Sequence, residues 1–404
     1  MAVHVLDAMA REGFEEVVAI HDHRSGLRAF LAIHDTLGGP ALGGIRRLTY
    51  RDEKEALLDC LRLALHMSFK CILAGIPGGG AKTVIMDRAD LDVEAAYRHL
   101  GDTIERMQGR YLAGPDIGTG STELAWVGER TRFASRSGPE SAEGPGDLEA
   151  ATAAGVFVSM EAALLALDGE VDWKRRRVVL QGLGSVGRTL AHRLVNEGAH
   201  VMASEIDPDV ATQVSRDFGV ELIEIGQAAI TPCDVFAPCA LGGILHDVSI
   251  PKLTSRVVCG AANNQLARAR HAERMHARGV LYVPDFVVNS GAVMLGAARH
   301  SAGDASQTSM GLGEIEARIG GLATEILADA KALDEAPART AERRARKALA
   351  ARRDVRPAHL SPLRPVGVGL SDSRPEAPGS SGPSHSSDAP GEAPDNSQHT
   401  IEIP

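Results

Sequence analysis

The sequence lacks an excess of positive charge and lacks paired cysteines, and both absences narrow the possible functions. The formal net charge is -10, whereas nucleic-acid-binding domains usually carry a basic surface. We therefore expect no nucleic-acid partner. The five cysteines are odd in number and include no CxxC pair. This pattern predicts reduced thiols in a cytoplasmic protein, and neither a disulfide framework nor a metal site.

Segments typical of secretion or membrane insertion are also missing. Residues 1–18 contain four acidic side chains and no apolar core of the kind a signal peptide has. No uncharged apolar run approaches the length needed to cross a bilayer. We therefore expect no membrane partner. Because 44% of the residues are apolar, the chain can instead bury a globular core.

The composition and the hydrophobic pattern change along the chain, and they predict an α/β protein of two domains. Residues 1–146 combine a first strand at 27–33, a helix from about 53 to 67 capped by Thr49 or Asp52, and a connecting loop at 135–146. Residues 147–312 alternate strands and helices, which indicates a parallel sheet covered on both faces. Residues 313–354 are helical. Residues 355–404 are rich in Pro, Ser, Gly and Asp and predict a disordered tail.

A glycine-rich loop marks the second domain as a dinucleotide-binding (Rossmann) domain. The strand at 177–181 leads into residues 182–187 (GLGSVG), and a helix follows. In such loops the first glycine, Gly182, allows a tight turn, and Gly184 leaves room for a pyrophosphate. Gly187 lets the helix approach the strand closely. The free N–H groups at the start of the helix, around Ser185 and Val186, then face the phosphates.

The charge after the next strand favours NAD as the cofactor. Glu205 ends that strand, where a carboxylate binds the ribose hydroxyls in Rossmann domains. A negative charge there would repel the 2'-phosphate of NADP. Asp207 is a competing carboxylate two residues later.

A second glycine-rich segment surrounds a lysine in the first domain. Residues 75–83 read GIPGGGAKT, but Ala81 stands where a phosphate loop has glycine before Lys82. The glycines instead suggest close access of a small substrate to Lys82. A buried lysine beside another cation can serve as a base. Without further information, an isolated lysine is more often a solvated surface residue.

Several separate blocks, in matching order and spacing, resemble one enzyme family. They are residues 39–46, Lys70, and residues 78–83, 115–119, 237–243, 261–266 and 284–291. They are similar to the glutamate, leucine, phenylalanine and valine dehydrogenase superfamily, and most similar to its leucine dehydrogenase branch. The resemblance covers roughly residues 25 to 350.

The resemblance implies a role for each matching residue. The first domain would bind substrate and build a homo-oligomer, the second would bind NAD, and catalysis would occur between them. Lys82 would activate water, Asp116 would carry protons to and from the amino group, and Lys70 would hold the substrate carboxylate. Further substrate contacts would come from Gly43, Gly44, Met67 and Asn264. Further cofactor contacts would come from Thr152, Cys239, Ala240 and Asn263.

The implied reaction is oxidative deamination of an apolar L-amino acid of the leucine, valine or isoleucine type to its 2-oxo acid. The presumed side-chain pocket consists of Leu42, Gly114, Val293 and Gly296, without a cation for a second carboxylate. The two glycines would leave space that could admit phenylalanine or tryptophan, which is the alternative substrate class.

Two other functions were considered. A catalytically silent NAD-binding regulator is disfavoured because Lys70, Lys82 and Asp116 are all present. A hydroxy-acid dehydrogenase would rely on a catalytic histidine with a carboxylate partner. The histidines of the second domain lie in no recognisable motif and are interpreted as surface residues: His246, His271 and His276.

The assignment of Glu205 can be tested by substitution. We expect Glu205→Ala to weaken NAD binding and to relax discrimination against NADP, because the repulsion of the 2'-phosphate is lost. Steady-state kinetics with both cofactors measure this. An unchanged preference would move the ribose-binding role to Asp207 or elsewhere.

Overall fold

The computed structural model describes residues 4–135, 147–302 and 310–355. The predicted loop at 135–146 lies outside these residues except for Ser135, whose N–H donates to the carbonyl of Ala113. The predicted disordered tail lies outside them except for Val355, which ends a helix.

The first domain is built on a mixed sheet, whose strands in the described residues are β1 (Glu16–Asp22), β2 (Leu27–Asp35), β3 (Ala41–Leu48), β4 (Gly79–Met86) and β5 (Tyr111–Gly114). The strand order is β1-β2-β4-β3-β5. Strands β1, β2 and β4 are antiparallel neighbours, and β3 runs parallel to β4 and β5. Because β4 is central, every residue along it is buried. Any charged side chain on β4 is thereby removed from water.

The prediction of the first strand was wrong in its order. The strand predicted at 27–33 exists as β2, but β1 precedes it and pairs with it along its whole length. Strand β1 lies at the sheet edge and only Ile20 along it is buried. Its apolar run, residues 17–20, is shorter than the run at residues 29–33 of β2.

The helices of the first domain are α1 (Val5–Glu12), α2 (Glu53–Leu73), α3 (Val93–Arg106) and α4 (Ser121–Gly128). Helix α2 begins after Asp52, whose carboxylate accepts from the N–H of Glu55 at 2.8 Å. Asp52 is therefore the cap, and Thr49 is not. The helix continues beyond its predicted end because Ser68, Phe69 and Lys70 are also buried. This extension places Lys70 on the same helix as Met67.

The second domain is built on a parallel sheet, whose described strands are β6 (Arg177–Gln181), β7 (His200–Ser204), β8 (Glu221–Leu222), β9 (Val235–Pro238), β10 (Val257–Val258) and β11 (Leu281–Tyr282). Their order, β11-β10-β9-β6-β7-β8, is that of a Rossmann domain. All the pairings are parallel. The α/β fold with a Rossmann domain is thus confirmed. Ligands of such sheets bind at the carboxyl ends of the strands, where the order reverses between β6 and β9.

The helices that follow are α5 (Asp147–Asp168), α6 (Ser185–Asn196), α7 (Pro208–Phe218), α8 (His271–His276), α9 (Asp285–Val288), α10 (Gly291–Ala302), α11 (Leu312–Leu333) and α12 (Pro337–Val355). Helix α11 packs against α5, and α12 packs against α2 of the first domain. The guanidinium of Arg352 on α12 donates to the carbonyl of Gly78 at 3.1 Å. The boundaries proposed between the domains stay a prediction.

Helix α5 is strongly apolar, although Glu149 and Glu161 interrupt it, so the expectation that no uncharged run reaches membrane length stands. By length and composition it is one helix in the described chain that could cross a bilayer, and 67% of its apolar window is buried within the protein. Val156, Phe157 and Met160 belong to the core of the second domain. Residues that pack on both a sheet and a helix must be apolar all round, so the composition of α5 reflects its central position.

Phe157 is a test of this central packing. Its ring is 2% exposed, lies 5.2 Å from the ring of Trp173 and is covered by the guanidinium of Arg193 at 3.8 Å. We expect Phe157→Ala to destabilise the fold by about 3–5 kcal/mol and to lower the thermal unfolding midpoint. Leu165→Ala on the same helix, where the side chain is 50% exposed, should cost at most about 0.5 kcal/mol. Equal shifts in the two variants would contradict the assignment of α5 as a core helix.

Candidate active site

A cavity lies between the two sheets, and five of the residues predicted for the site line it: Met67, Lys70, Lys82, Asn263 and Asn264. One wall comes from α2 and β4, and the other from the loop after β10 and from α9. Its lining contains Leu63, His66, Met67, Lys70, Lys82, Asn263, Asn264, Asp285 and Phe286. Residues more than two hundred positions apart in sequence are therefore brought to one small space.

Lys82 and Asp116 are in direct contact at this cavity. Lys82 lies in the middle of β4, is 4% exposed, and forms an ion pair with the carboxylate of Asp116. Asp116 follows β5 in a tight turn in which the N–H of Thr119 donates to its carbonyl. The turn and the central strand together hold the two side chains against each other. Lys82 is therefore a strand residue, and the GGGAKT segment is not a loop.

Arg46 completes the buried ion cluster. Its guanidinium Nε donates to Asp116 Oδ2 at 3.0 Å, and the Arg46 side chain is 6% exposed. Burial by itself would raise the pKa of Asp116, but the charges of Lys82 and Arg46 outweigh burial and hold that pKa well below its usual range. Asp116 is therefore a carboxylate at neutral pH.

The pKa of Lys82 is shifted in the direction that a base requires. Burial lowers it, Asp116 raises it and the like charge of Arg46 lowers it, with a lowered pKa as the net result. The sequence predicted a cation beside Lys82. The structure shows that Arg46 is the neighbouring cation, because it shares Asp116 with Lys82.

Lys70 faces the same cavity from α2. It is 6% exposed, and its ammonium donates to Asn263 Oδ1 at 3.1 Å. Burial lowers the pKa of Lys70 to about 8. Asn289 Nδ2 also donates to Asn263 Oδ1, at 2.9 Å. Asn263 thus connects the lysine of the first domain to the second domain.

Asn264 adopts a backbone conformation that few residues other than glycine and asparagine tolerate. Its φ is +54°, and its N–H donates to the carboxylate of Asp285. Its side-chain Nδ2 donates to Asp59 Oδ1 at 3.1 Å, while its buried Oδ1 has no hydrogen-bond partner in the described chain. An unpaired buried acceptor is costly unless a ligand donates to it. Asn264 Oδ1 is therefore suited to receive an N–H from a substrate.

An apolar cluster adjoins the lysines. It brings together Leu42, Met67 and the partly buried Val293, with Met294 and Leu295 beside them. A Cβ added at Gly296 would meet nothing within 4 Å, and one at Gly114 would meet only the carbonyl of Gly43, at 3.9 Å. The pocket residues predicted from the sequence thus lie beside apolar surface and local open space.

Four glycines of the first domain serve packing and lie outside the lining of the cavity: Gly43, Gly44, Gly79 and Gly80. A Cβ at Gly43 would stand 1.9 Å from the carbonyl of Ala81, and one at Gly44 would stand 2.5 Å from that of Pro115. A Cβ at Gly79 would stand 1.6 Å from the carbonyl of Asp35, and one at Gly80 would stand 2.2 Å from the N atom of Ser68. The expectation that the GGG segment opens Lys82 to substrate was wrong. These glycines let the backbones of β2, β3, β4 and α2 approach closely.

The glycine-rich loop of the second domain has the geometry of a phosphate cradle. Gly182 has a φ of +99°, and a Cβ there would stand 2.8 Å from that of Ala240. A Cβ at Gly184 would meet nothing within 4 Å, whereas one at Gly187 would stand 2.1 Å from the carbonyl of Gly182. Space is therefore left open above Gly184, at the start of α6 where Ser185 and Val186 lie.

Of the remaining predicted cofactor residues, Cys239, Ala240 and Glu205 lie beside this loop, and Thr152 lies on α5. Cys239 and Ala240 follow β9 beside Gly182 and Gly187. Thr152 lies in α5, where its hydroxyl donates to the carbonyl of Leu148 at 3.0 Å. The carboxylate of Glu205 accepts from the N–H of Leu183 at 2.6 Å and from the N–H of Ile206 at 2.7 Å. Glu205 therefore also holds the loop itself, and Glu205→Gln is the milder variant for testing its charge.

His271 is not a surface residue, contrary to the prediction. It is 1% exposed, and its Nδ1 accepts from the N–H of Arg268 at 3.1 Å, while its Nε2 lies 3.3 Å from Asp247. It thereby stabilises the start of α8. Its position outside the cavity lining gives it no part in the site.

Comparison with known proteins decides the family. The family model described as Glu/Leu/Phe/Val dehydrogenase, dimerisation domain, matches residues 15–133. The model described as Glutamate/Leucine/Phenylalanine/Valine dehydrogenase matches residues 209–359. Leucine dehydrogenase of Geobacillus stearothermophilus is 39% identical over 282 residues, which cover 70% of this chain and 77% of that one.

The chain belongs to this amino-acid dehydrogenase family.

Other relatives of this dehydrogenase differ in their named substrate. Valine dehydrogenase of Streptomyces albus is 40% identical over 296 residues, which cover 72% of this chain and 81% of that one. The crystal structure of L-tryptophan dehydrogenase from Nostoc punctiforme has a TM-score of 0.69 and 30% identity, and covers 86% of this chain and 99% of that one. The dehydrogenase is thus an oxidoreductase with a nicotinamide cofactor, and its relatives include both aliphatic and aromatic amino-acid dehydrogenases.

The second domain of the dehydrogenase fits such a cofactor. The open space at Gly184, the turn at Gly182 and the free N–H groups at the start of α6 suit a pyrophosphate. The carboxylate of Glu205 lies at the end of β7, next to this space. These residues would hold the dinucleotide with its phosphates at the helix N-terminus.

Sequence reasoning missed several side chains of the site. Arg46 and Asp285 lie inside sequence blocks that were recognised, but no role was given to them. Asp59 and His66 lie on α2 at helical spacing from Lys70, so the periodicity of the helix could have placed them on the same face. The buried Nδ1 of His66 has no hydrogen-bond partner in the described chain.

Two glycine substitutions separate cofactor binding from folding. We expect Gly184→Ala to fold normally but to weaken dinucleotide binding, because its methyl group enters the space left for the pyrophosphate. Gly187→Ala should instead lower the thermal unfolding midpoint, because its methyl group meets the carbonyl of Gly182. Melting curves and fluorescence titration with NADH measure both effects. Unimpaired NADH binding in folded Gly184→Ala would contradict the cradle.

Proposed function

We propose that this chain catalyses the NAD-dependent oxidative deamination of an apolar L-amino acid, of the leucine, valine or isoleucine type, to its 2-oxo acid and ammonium. The observation that carries the proposal is the buried contact between Lys82 and Asp116, beside Lys70 and an apolar cluster. Deamination needs a carboxylate anchor, a base and a proton carrier in one dry site, and these groups supply them.

Lys70 suits the role of carboxylate anchor. It faces the cavity from a rigid helix, and its lowered pKa of about 8 leaves much of it charged at neutral pH. Bringing a substrate carboxylate into the cavity adds a negative charge that favours the ammonium form further. The unpaired Oδ1 of Asn264 would accept from the substrate amino group. Together they orient the α-carbon.

Lys82 and Asp116 suit the proton transfers. A nicotinamide bound in the second domain would supply the hydride acceptor for the α-carbon. Lys82, in the neutral form that burial and Arg46 favour by lowering its pKa, takes a proton from the water that attacks the resulting iminium carbon. Asp116 is ionised and touches Lys82, so it can receive that proton and pass it to the amino nitrogen. Ammonia then leaves, and Lys82 takes the proton of the hydroxyl group as the carbonyl forms.

The walls beside the lysines favour an apolar side chain. Leu42, Met67 and Val293 offer it only hydrocarbon and sulfur. Burying a second carboxylate there without a partner would be strongly unfavourable. The proposed substrates therefore exclude glutamate.

An aromatic substrate is the second candidate. The open space at Gly296 and Gly114 favours it, as does the similarity to an L-tryptophan dehydrogenase. A missing methyl group changes discrimination by only about 1–3 kcal/mol, so the space admits both classes. A panel of leucine, valine, isoleucine, phenylalanine, tryptophan and glutamate, followed by NADH absorbance, separates them. Turnover limited to the aromatic members would replace the first candidate by the second, and turnover of glutamate alone would contradict both.

The proposal also includes NAD and an oligomeric assembly. The charge of Glu205 beside the glycine-rich loop supports NAD over NADP. The match of residues 15–133 to a dimerisation domain supports association of the first domain with a second copy.

Removing the base should stop the reaction without removing the cofactor. We expect Lys82→Ala to lower kcat by several orders of magnitude while NADH binding changes little, because the cradle lies in the other domain. Lys252→Ala, which alters an exposed lysine, is the control and should be fully active. In the wild type, kcat/KM should rise with pH through a midpoint below the ordinary lysine pKa of about 10.4, since the neutral amine is the active form. Turnover at the wild-type rate in Lys82→Ala would remove the proposed base.

A further inference from the structure

Asp59 on α2 has both carboxylate oxygens engaged, although it lies outside the lining of the catalytic cavity. Its Oδ2 accepts from Arg46 Nη1 at 3.0 Å and from the hydroxyl of Tyr50 at 2.9 Å. Its Oδ1 accepts from Asn264 Nδ2 at 3.1 Å. The side chain is 15% exposed. One carboxylate thus bonds to groups of both domains.

On the first-domain side, Asp59 binds Arg46, and Arg46 binds Asp116 of the catalytic pair. Arg46 lies between Asp59 and Asp116, with 3.0 Å to each carboxylate. Asp116 in turn touches Lys82. The charges form a chain in the order Asp59, Arg46, Asp116 and Lys82, with two negative and two positive members. Displacing Asp59 would leave Arg46 free to shift relative to Asp116.

On the second-domain side, Asp59 and its neighbour Arg62 hold the loop of residues 261–267, which we term the closing loop. Asp59 receives the amide of Asn264, whose φ of +54° fixes the shape of the loop. Arg62 Nη1 donates to the carbonyls of Leu266 at 3.2 Å and Ala267 at 3.4 Å. Arg62 Nη2 also lies 3.8 Å from Asp59 Oδ1. The closing loop is therefore attached to one face of α2.

We propose that Asp59 is a positioning residue that couples attachment of the closing loop to the alignment of Lys82 and Asp116, acting through Arg46. The proposal rests on the catalytic roles given above to Lys82 and Asp116. When the closing loop is attached, the Asn264 amide and the Arg46 guanidinium fix Asp59 from opposite sides. The catalytic pair is then held in its productive geometry only while the cleft is closed around the substrate.

The charge of Asp59 also contributes to the protonation of Lys82. The charged and titratable groups around Lys82 are Arg46 on β3, Asp116 after β5, Asp59, His66 and Lys70 on α2, and Asp285 on α9. Removing the negative charge of Asp59 leaves the cluster with a net positive charge, which disfavours the ammonium form of Lys82. The acidic limb of the pH profile of kcat/KM, where the rate rises as Lys82 loses its proton, should then move to lower pH. A purely structural defect would lower the rate without moving that limb.

The test compares Asp59→Asn, Asp59→Glu and the control Asp102→Asn, which changes an exposed carboxylate paired with Arg130 on the surface. We expect Asp59→Asn to lower kcat on the order of 10- to 100-fold, as small misplacements of catalytic groups do. Its acidic limb should shift downward, and hydrogen exchange in residues 261–267 should be faster than in the wild type. Asp59→Glu should recover part of kcat. Asp102→Asn should match the wild type in all three measurements.

Arg62→Met keeps the test decisive if Asp59→Asn folds poorly. It removes the bonds to Leu266 and Ala267 but leaves the pair of Asp59 and Arg46 in place. Faster exchange in residues 261–267 together with a lowered kcat supports the coupling. Wild-type kcat in either variant, or an unmoved acidic limb in folded Asp59→Asn, overturns the proposal. If the wild type turns over no amino acid of the panel, the proposed function fails, while exchange in the closing loop still tests whether Asp59 and Arg62 attach it.

Discussion

The site depends on a lysine and a carboxylate that contact each other out of water. Lys82 is on the central strand of the first sheet and would be costly to bury alone, since an isolated charge loses its hydration. Asp116 and Arg46 supply the compensating charges, and the cluster stays charged because each member bonds to another. Burial of the cluster costs desolvation free energy, and the same burial lowers the pKa of Lys82. Burial of Lys82 thus opposes folding and at the same time favours the neutral amine that the proposed reaction needs.

The fold can be understood as the means of meeting that constraint. Glycines at 43, 79 and 80 let β3, β4 and α2 approach so closely that added methyl groups would overlap backbone atoms. This close approach shields Lys82 from solvent on the first-domain side. The loop after β10 covers the remaining side, where Asn263 bonds to Lys70 and Asn264 bonds to Asp59. The proposed catalytic groups and the proposed cofactor cradle belong to different sheets, so contact between the domains would complete the site.

Much of this architecture could be predicted from the sequence, because its signals are local. The glycine-rich loop, the strand after it and the stripe of α2 each follow from short patterns, and the structure has them at nearly the predicted positions. The edge strand β1 was missed because its apolar run is short, at residues 17–20, and its position at the sheet edge leaves only Ile20 buried. Helix α5 is apolar on every side because it packs on several neighbours.

The residues of the candidate site also differ in whether a local sequence pattern reveals them. Lys70, Lys82 and Asp116 were found through motifs, whereas Arg46 and Asp59 owe their importance to partners far away in sequence. No pattern in one chain reveals that Arg46 stands between two carboxylates, or that the glycines near Lys82 face backbone and not substrate. Such facts depend on which strands become neighbours. The sheet order β1-β2-β4-β3-β5 had to be seen before they could be stated.

The protonation of Lys82 can be observed without turnover. Lysine labelled with 13C at Cε gives a resonance that moves when the amine titrates, and Lys82→Ala identifies the resonance that belongs to this residue. A midpoint clearly below the ordinary lysine pKa of about 10.4 is the predicted result. A midpoint at or above that value would show that Asp116 outweighs burial and Arg46. Lys82 would then be a permanent cation, and the base of the reaction would have to be another group.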